Sequence, residues 1–286
     1  MNFQWYPGHM TKAKRMIEED IKLVDLVIEL TDARIPLSGR NPDIDKLASN
    51  RARLILLNKA DLADPAVTAQ WEKYFTDLGL NVCVLNSRDN NQVKQVNAYI
   101  QKACAAKIER DRKRGIKNRP VRAMILGIPN VGKSTFINSF TRRSIAQTGN
   151  KPGVTKGKQW IKLSGQAELL DTPGILWPKF DDQTVGLKLA LIGSIKDEIM
   201  NTEELALELI KTMDVLCPGR LEESYGIAAE KDDQYAVHML EKIAETKGAI
   251  KSGGQLDYLK AANLLLENFR NGKLGPVSLE RPEDFQ

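Results

Sequence analysis

The residues best suited to chemistry lie in one short segment, Gly127 to Ser134, which reads Gly-Ile-Pro-Asn-Val-Gly-Lys-Ser. This segment fits the phosphate-binding pattern GxxxxGK[ST], which requires a strand before it and a helix after it. The apolar run Val121 to Leu126 predicts the strand, and Lys133 to Ile137 predicts the start of the helix. The segment therefore predicts a nucleotide-binding site.

In a loop of this kind each residue type has a separate task. Glycines let the backbone close around phosphate oxygens, and successive backbone N–H groups at a helix N-terminus donate to them. Lys133 is expected to reach the terminal phosphates, and the Ser134 hydroxyl is expected to bind Mg²⁺. The predicted nucleotide contacts in this loop are Pro129, Asn130, Val131, Gly132, Lys133, Ser134 and Thr135. The alternative interpretation is a structural glycine turn.

The identity of the base is indicated upstream, where Asn58-Lys59-Ala60-Asp61 follows the apolar run Leu54 to Leu57. This is the guanine-reading pattern NKxD. The Asp61 carboxylate can accept from the guanine N1 and N2 hydrogens, the Asn58 amide can satisfy N7, and the Lys59 stem can lie along the ring. Adenine would leave Asp61 unpaired, and such a site can reject the wrong partner by roughly 10⁴ to 10⁵. Taken alone, these four residues also fit a helix-initiating turn.

Further patterns each follow a strand of their own. Asn86 and Ser87 come after the apolar run Val82 to Leu85, where a backbone N–H can meet guanine O6. The run Ala167 to Leu170 leads into Asp171-Thr172-Pro173-Gly174, the DxxG on the magnesium side of a GTPase. We expect Asp171 to bind Mg²⁺ through water and Gly174 to contact the nucleotide. Together the patterns indicate one GTP site.

One switch residue is predicted between the phosphate loop and DxxG. The sequence there is Pro152-Gly153-Val154-Thr155, and Thr155 is the candidate ligand of Mg²⁺ and of the terminal phosphate. Beyond DxxG, the position that carries a water-orienting Gln in Ras-like enzymes is Ile175. The water-positioning group must therefore come from another residue.

The order of the motifs identifies the family that this chain resembles. A Ras-like domain runs from the phosphate loop through DxxG to NKxD, whereas here NKxD comes first. With Tyr6-Pro7-Gly8-His9-Met10, the segment Asp32 to Pro36 and a helical tail, the chain resembles the circularly permuted GTPases, and among them the ribosome biogenesis GTPase A family. The fold class that follows is α/β. We expect a permuted Ras-like P-loop G domain with a mostly parallel six-stranded sheet, whose strands take the Ras positions 4, 5, 6, 1, 2 and 3 in chain order.

The resemblance implies a GTP-hydrolysing assembly factor, with GTP or GDP and Mg²⁺ as its ligands. Such a factor binds the immature large (50S) ribosomal subunit through rRNA and ribosomal proteins, promotes its late maturation and leaves on hydrolysis. Hydrolysis would be slow alone and stimulated by the subunit. The alternative functions are a GTP switch acting on a protein or membrane partner and a metabolic nucleotide enzyme.

The resemblance also implies catalytic residues: His9, swung toward the attacking water, acting with Lys133 and Thr155. A histidine in an N-terminal arm also fits an ordinary surface position. Asn130 is a candidate ligand for K⁺ beside the phosphates, where other GTPases place an arginine finger. The alternative for Asn130 is a loop residue that tolerates unusual dihedral angles.

Two domains are predicted, a G domain with an N-terminal arm over residues 1–180 and a helical domain over residues 181–286. The resemblance implies RNA binding for the helical domain, whose polar face also fits an ordinary solvated surface. Residues 1–180 hold 30 Lys and Arg against 17 Asp and Glu, whereas residues 181–286 hold 12 against 20. An anionic partner should therefore meet the first domain. Its densest basic run consists of Lys107, Arg110, Arg112, Lys113, Arg114, Lys117, Arg119 and Arg122. This run fits either a solvated connector or an arm that contacts nucleic acid.

Several smaller expectations complete the prediction. The cysteines lack metal-site spacing and predict reduced thiols, and we expect a cytoplasmic monomer with no membrane or DNA partner. Asp32 and Arg34, where the first strand ends, could shape the nucleotide pocket or pair with each other, and we expect the pairing. A helix is predicted over residues 91–108. In the last helix, Leu259, Ala262, Leu266 and Phe269 are expected to share an apolar face.

Overall fold

The computed structural model describes residues 15–116, 119–141, 159–163, 167–171, 182–195 and 200–285. The chain divides into two compact units. The first contains the described residues up to Asp171 together with Glu280–Phe285, and the second contains the described residues of 182–279. The predicted domain boundary at residue 180 stays a prediction, and the structure adds that the last residues of the chain pack on the first unit.

The first unit contains a six-stranded sheet. Its strands are β1 (Leu26–Asp32), β2 (Ala52–Asn58), β3 (Asn81–Val84), β4 (Val121–Leu126), β5 (Gln159–Lys162) and β6 (Ala167–Asp171). Their order across the sheet is β3-β2-β1-β4-β6-β5, and every neighbouring pair is parallel except β5 with β6. The predicted fold class and the permuted Ras order are confirmed.

Two strands that are distant in sequence, β1 and β4, lie side by side at the centre of this sheet. Strand β1 pairs with β4 from Leu26 opposite Ala123 to Glu29 opposite Leu126, although the two strands are far apart in sequence. All seven residues of β1 are buried, as expected for a central strand covered on both faces. The carboxyl ends of β1, β2 and β4 consequently meet at one edge, where open α/β sheets bind their ligands.

Helices flank the sheet of the first unit, and we number five of them in chain order. They are α1 (Ile44–Leu47), α2 (Pro65–Asp77), α3 (Asn90–Ala103), α4 (Ala105–Lys113) and α5 (Lys133–Thr141). The side chains of Asp64 and Asp89 accept from backbone N–H groups in the first turns of α2 and α3 and so cap them. The prediction of one helix over residues 91–108 is wrong, because the helix breaks at Cys104. Val93, Val96 and Ile100 are buried and anchor α3, whereas α4 buries none of its residues.

The end of the chain docks against α2 and the loop after β1. The Glu280 carboxylate accepts from the backbone N–H of Leu37 (2.5 Å) and Ser38 (3.1 Å) and from the Ser38 hydroxyl (2.6 Å). The Trp71 indole N–H donates to the Glu280 carbonyl at 3.1 Å, and the Phe285 ring lies 5.9 Å from the Trp71 ring. Glu280 is 1% exposed. These residues are therefore an integral part of the first unit.

The second unit is helical in its described residues. Its helices are α6 (Gln183–Leu191), α7 (Thr202–Leu216), α8 (Arg220–Tyr225), α9 (Tyr235–Thr246) and α10 (Tyr258–Arg270). Helices α7, α9 and α10 pack on one another through apolar faces, and Asn201 caps α7. The expected face of α10 is corrected at Leu259, which is 49% exposed, whereas Ala261 and Leu265 are buried. In neither unit is a described helix both long and apolar enough to cross a membrane.

Candidate nucleotide-binding site

Asn58, the last residue of β2, joins three loops of the predicted site. Its amide N–H donates to the Val131 carbonyl in the phosphate loop at 2.7 Å. Its amide oxygen accepts from the backbone N–H of Ser87 at 2.9 Å and from the Ser87 hydroxyl at 2.7 Å. Asn58 is 1% exposed. The loops that follow β2 and β3 and the predicted phosphate loop are therefore held together by one side chain.

Lys59 makes a second link between the base-reading and phosphate-binding loops. Its ammonium donates to the Asn130 carbonyl at 2.7 Å and pairs with the Asp32 carboxylate at 3.1 Å. The predicted pair of Asp32 with Arg34 is confirmed, with Arg34 Nε and Nη2 at 2.9 and 2.8 Å from the carboxylate oxygens. The contact of Asp32 with Lys59 was not predicted. The signal for it is the position of Asp32, which lies opposite Asn58 at the ends of adjacent strands.

The environment of Asp32 keeps its carboxylate ionised. Burial alone would raise the pKa of Asp32, but the positive charges of Arg34 and Lys59 and the hydrogen bonds from Arg34 outweigh it. The pKa of this carboxyl therefore lies well below its usual range. A negative charge is present at the base of the site throughout the neutral pH range.

The phosphate loop has the backbone shape that its sequence predicts. Asn130 and Gly132 have φ of 63° and 94°, in the left-handed region. A Cβ on Gly132 would lie 2.5 Å from Asn58 Nδ2, and one on Gly127 would lie 2.8 Å from the Leu30 carbonyl oxygen. Glycine therefore fits best at these two positions, where the loop packs closely against Asn58 and β1. Helix α5 then begins at Lys133, with Ser134 and Thr135 in its first turn and partly exposed.

The residues expected to bind guanine differ in whether their polar groups already make hydrogen bonds within the protein. Asp61 is exposed, and no described residue pairs with its carboxylate, so both oxygens are open to a ligand. The Asn58 amide uses one N–H within the protein, which leaves its second N–H for guanine N7. The backbone N–H groups of Asn86 and Ser87 already donate, to the Gln92 side chain at 2.7 Å and to Asn58 at 2.9 Å. A contact of this loop with guanine O6 stays a prediction and requires one of these bonds to be shared.

The magnesium side of the site is described in part. Asp171 ends β6 and pairs with Ile125 of β4, which places its backbone beside the strand that leads into the phosphate loop. Ser134 stands at the start of α5. Serine and aspartate carry the hard oxygen ligands that Mg²⁺ accepts, and the binding of the ion by Ser134 and Asp171 stays a prediction. Three predicted site residues, His9, Thr155 and Gly174, lie outside the described residues, and their roles stay predictions.

The basic run between β3 and β4 is partly neutralised in the structure. Lys107 pairs with Asp25 (3.3 Å) and Asp111 (3.0 Å), and Arg122 lies 3.4 Å from Glu168. Arg112 and Lys113 have side chains 78% and 75% exposed and lie 3.9 and 3.7 Å from the carboxylate oxygens of Glu109. Some residues of the run therefore tether the segment, and α4 presents Arg112 and Lys113 to solvent, while contact of the run with nucleic acid stays a prediction.

The permuted sheet and the three linked loops define a circularly permuted P-loop GTPase. The sequence profile described as "50S ribosome-binding GTPase" matches residues 122–245. Ribosome biogenesis GTPase A of Bacillus cereus is 46% identical over 285 residues, covering 100% of this chain and 96% of that protein. The enzyme of the same name from Thermotoga maritima is 34% identical, covering 98% and 95%. The chain belongs to the ribosome biogenesis GTPase A family.

Comparison with solved structures agrees with this assignment. The GNP-bound structure of YlqF from T. maritima is 30% identical, covers 95% of this chain and 99% of its own, and superposes with a TM-score of 0.68. A GDP-bound YlqF structure gives 29% identity and a TM-score of 0.67. The mouse mitochondrial ribosome-associated GTPase 1 is also similar, at 33% identity over 97% of this chain and 90% of that protein.

Proposed function

We propose that this protein hydrolyses GTP and acts as an assembly factor of the large ribosomal subunit. It binds the immature 50S particle with GTP bound, promotes a late maturation step and leaves when GTP is hydrolysed. The observation that carries the proposal is the set of three loops tied together by Asn58, in a chain whose relatives are named for ribosome biogenesis.

The site would select guanine through Asp61 and hold the triphosphate at the start of α5. The open carboxylate of Asp61 complements the two donors of guanine, whereas adenine would leave it desolvated and unpaired. Lys133 and the loop N–H groups would bind the phosphates. Ser134, Thr155 and Asp171 would hold Mg²⁺, which neutralises charge on the phosphate oxygens.

Hydrolysis would depend on a residue from outside the usual switch, because Ile175 cannot orient a water molecule. We propose His9 for this task and Asn130 as a ligand of K⁺. The left-handed backbone of Asn130 also fits a purely structural role in the loop. Replacement of His9 by Ala should lower subunit-stimulated hydrolysis far more than GTP affinity. Equal rates in potassium and sodium buffers would exclude the K⁺ site.

Contact with rRNA would come mainly from the basic first unit. The exposed cations Arg112 and Lys113 on α4 are candidates for phosphate contacts. Each phosphate contact steepens the dependence of log affinity on log salt by roughly 0.7 to 0.9. Neutralising both residues to Gln should therefore reduce the salt slope of particle binding, whereas Lys73→Gln, an exposed lysine on α2, serves as the matched control.

The principal experiment combines nucleotide specificity with sedimentation. Asp61→Asn should lower affinity for GTP and raise affinity for XTP, because an amide donates where xanthine carries a carbonyl in place of the guanine amine. Asp77→Asn removes an equivalent exposed carboxylate at the end of α2 and should change neither. With a nonhydrolysable GTP analogue the wild-type protein should sediment with the large-subunit precursor, and with GDP it should not.

The outcomes separate the competing functions. Sedimentation of the protein with membranes, or with a protein complex that contains no rRNA, would favour a GTP switch that acts on a partner other than the ribosome. Equal uptake of ATP and GTP by the wild-type protein would reject the guanine site itself. An analogue that fails to prolong association with the particle would reject release by hydrolysis.

A further inference from the structure

Asp32 occupies the point where the nucleotide loops meet the sheet. It is the last residue of β1, 0% exposed, and lies opposite Asn58 across the parallel ladder. Its carboxylate receives the backbone N–H of Arg34 at 3.1 Å in addition to the two guanidinium bonds, and Lys59 approaches the same oxygen as Arg34 Nη2. No nucleotide atom is expected here, because Asp32 belongs to none of the GTP motifs.

We propose that Asp32 is a positioning residue for guanine-nucleotide binding: its carboxylate holds the Lys59 ammonium against the Asn130 carbonyl and so fixes the base-reading turn to the phosphate loop. This inference rests on the proposed function, in which GTP occupies both loops. Asp32 itself touches no substrate. It acts through Lys59.

The backbone explains why Lys59 needs such an anchor. Lys59 and Asn130 are the two non-glycine residues with positive φ among the described residues, at 57° and 63°. Both conformations are strained, and strained residues persist only where their surroundings hold them. The Lys59 ammonium joins these two residues directly. A lysine side chain is flexible and would otherwise lose its conformational entropy only when the nucleotide arrives, which weakens binding.

Burial makes the anchor effective. Asp32 is fully buried and the Lys59 side chain is 24% exposed, so the pair is screened less by water and salt than a surface ion pair. The guanidinium of Arg34 binds both oxygens of the Asp32 carboxylate, whereas the ammonium of Lys59 links that carboxylate to the Asn130 carbonyl in the phosphate loop.

A double-mutant cycle distinguishes positioning from a merely structural role. The four proteins are wild type, Asp32→Asn, Lys59→Met and the double variant, and the measurement is the dissociation constant of a fluorescent GDP analogue with Mg²⁺. Methionine keeps an aliphatic stem for the guanine ring and removes only the ammonium. Asp32→Asn should weaken binding about 10-fold, the scale of one hydrogen bond to a charged group. In the Lys59→Met background the same change should have almost no effect.

Two controls keep the result decisive. Asp45→Asn removes a carboxylate that pairs with Arg40 and Arg53 and should leave GDP affinity unchanged, because neither partner is Lys59. If Asp32→Asn alone leaves Arg34 buried without its charge partner and fails to fold, the neutral pair Asp32→Asn with Arg34→Gln replaces it in the cycle. Thermal unfolding of every variant confirms that affinities are measured on folded protein.

Each outcome decides the proposal. Loss of affinity that disappears in the Lys59→Met background supports positioning through Lys59. An equal loss in both backgrounds, or no loss in either, overturns it. Failure of the wild-type protein to bind the GDP analogue would instead reject the proposed function, so the two failures are distinguishable.

Discussion

Replacement of Gly132 by Ala tests the geometry of the phosphate loop most directly. The structure indicates two separate free-energy penalties for an alanine in the loop conformation that binds nucleotide. Gly132 has φ of 94°, and a left-handed conformation costs an L-residue with a Cβ about 1–2 kcal/mol. The new Cβ would also lie 2.5 Å from Asn58 Nδ2, closer than non-bonded atoms approach.

Displacing the Asn58 side chain from its position costs free energy. It is buried, and its amide makes three hydrogen bonds, to the Val131 carbonyl and to the Ser87 backbone and hydroxyl. Each is worth about 1 kcal/mol net, so displacing the amide adds about 1–2 kcal/mol if one or two are lost. The total of about 2–4 kcal/mol disfavours the loop conformation that binds nucleotide, and apparent affinity falls with the population of that conformation. The expected loss of GDP affinity is about 30- to 700-fold.

Gly79→Ala is the matched control for this change. Gly79 follows α2, has φ of 78°, and a Cβ there would meet no atom within 4 Å. It therefore carries the backbone penalty without the clash and lies outside the nucleotide loops. The assay is titration of both variants with a fluorescent GDP analogue, accompanied by thermal unfolding. If Gly132→Ala binds GDP as tightly as Gly79→Ala does, the close packing of Asn58 against the phosphate loop is not what shapes the site.

Three further predictions concern the rest of the first unit and the thiols. Glu280→Gln should lower the free energy of unfolding, measured by urea denaturation, by about 1–2 kcal/mol, because it removes the charge that two backbone N–H groups bind. Glu283→Gln changes an exposed carboxylate and should leave the free energy of unfolding unchanged. The stability that the ionised Asp32 carboxylate supplies is fully present above the pKa of an unfolded aspartate, about 3.9. It is lost as pH falls toward the lower pKa of Asp32 in the folded protein. The difference in unfolding free energy between wild type and Asp32→Asn should therefore shrink below about pH 4 and stay constant near neutrality. Burial raises the pKa of Cys83 to about 12 and, together with the charge of Asp25, raises the pKa of Cys104 to about 11. A thiol reagent at pH 8 should therefore modify only the partly exposed Cys217 rapidly in the native protein, and all three cysteines in urea. Rapid labelling of two thiols in the native protein would contradict this.

Much of the site was determined by the sequence, because its signals are local. Glycines at fixed spacing, an apolar run before each motif and the residue types of NKxD report on chemistry that each short segment carries by itself. The order of these segments also gave the sheet topology, since parallel strands that end in ligand-binding loops can be reassembled in few ways. The strand expected over Ala167 to Leu170, before DxxG, is present as Ala167–Asp171.

Other features depended on residues that meet only in the folded chain. The contacts of Asp32 with Lys59, of Asn58 with Val131, and of Glu280 with Leu37 and Ser38 join residues that no sequence period connects. The break at Cys104 and the exposure of Leu259 likewise followed from which surfaces found a partner. The sequence thus determined what each loop can bind, whereas tertiary structure decided how the loops hold one another, because hydrogen bonds and ion pairs over long sequence separations form only when the strands are in register.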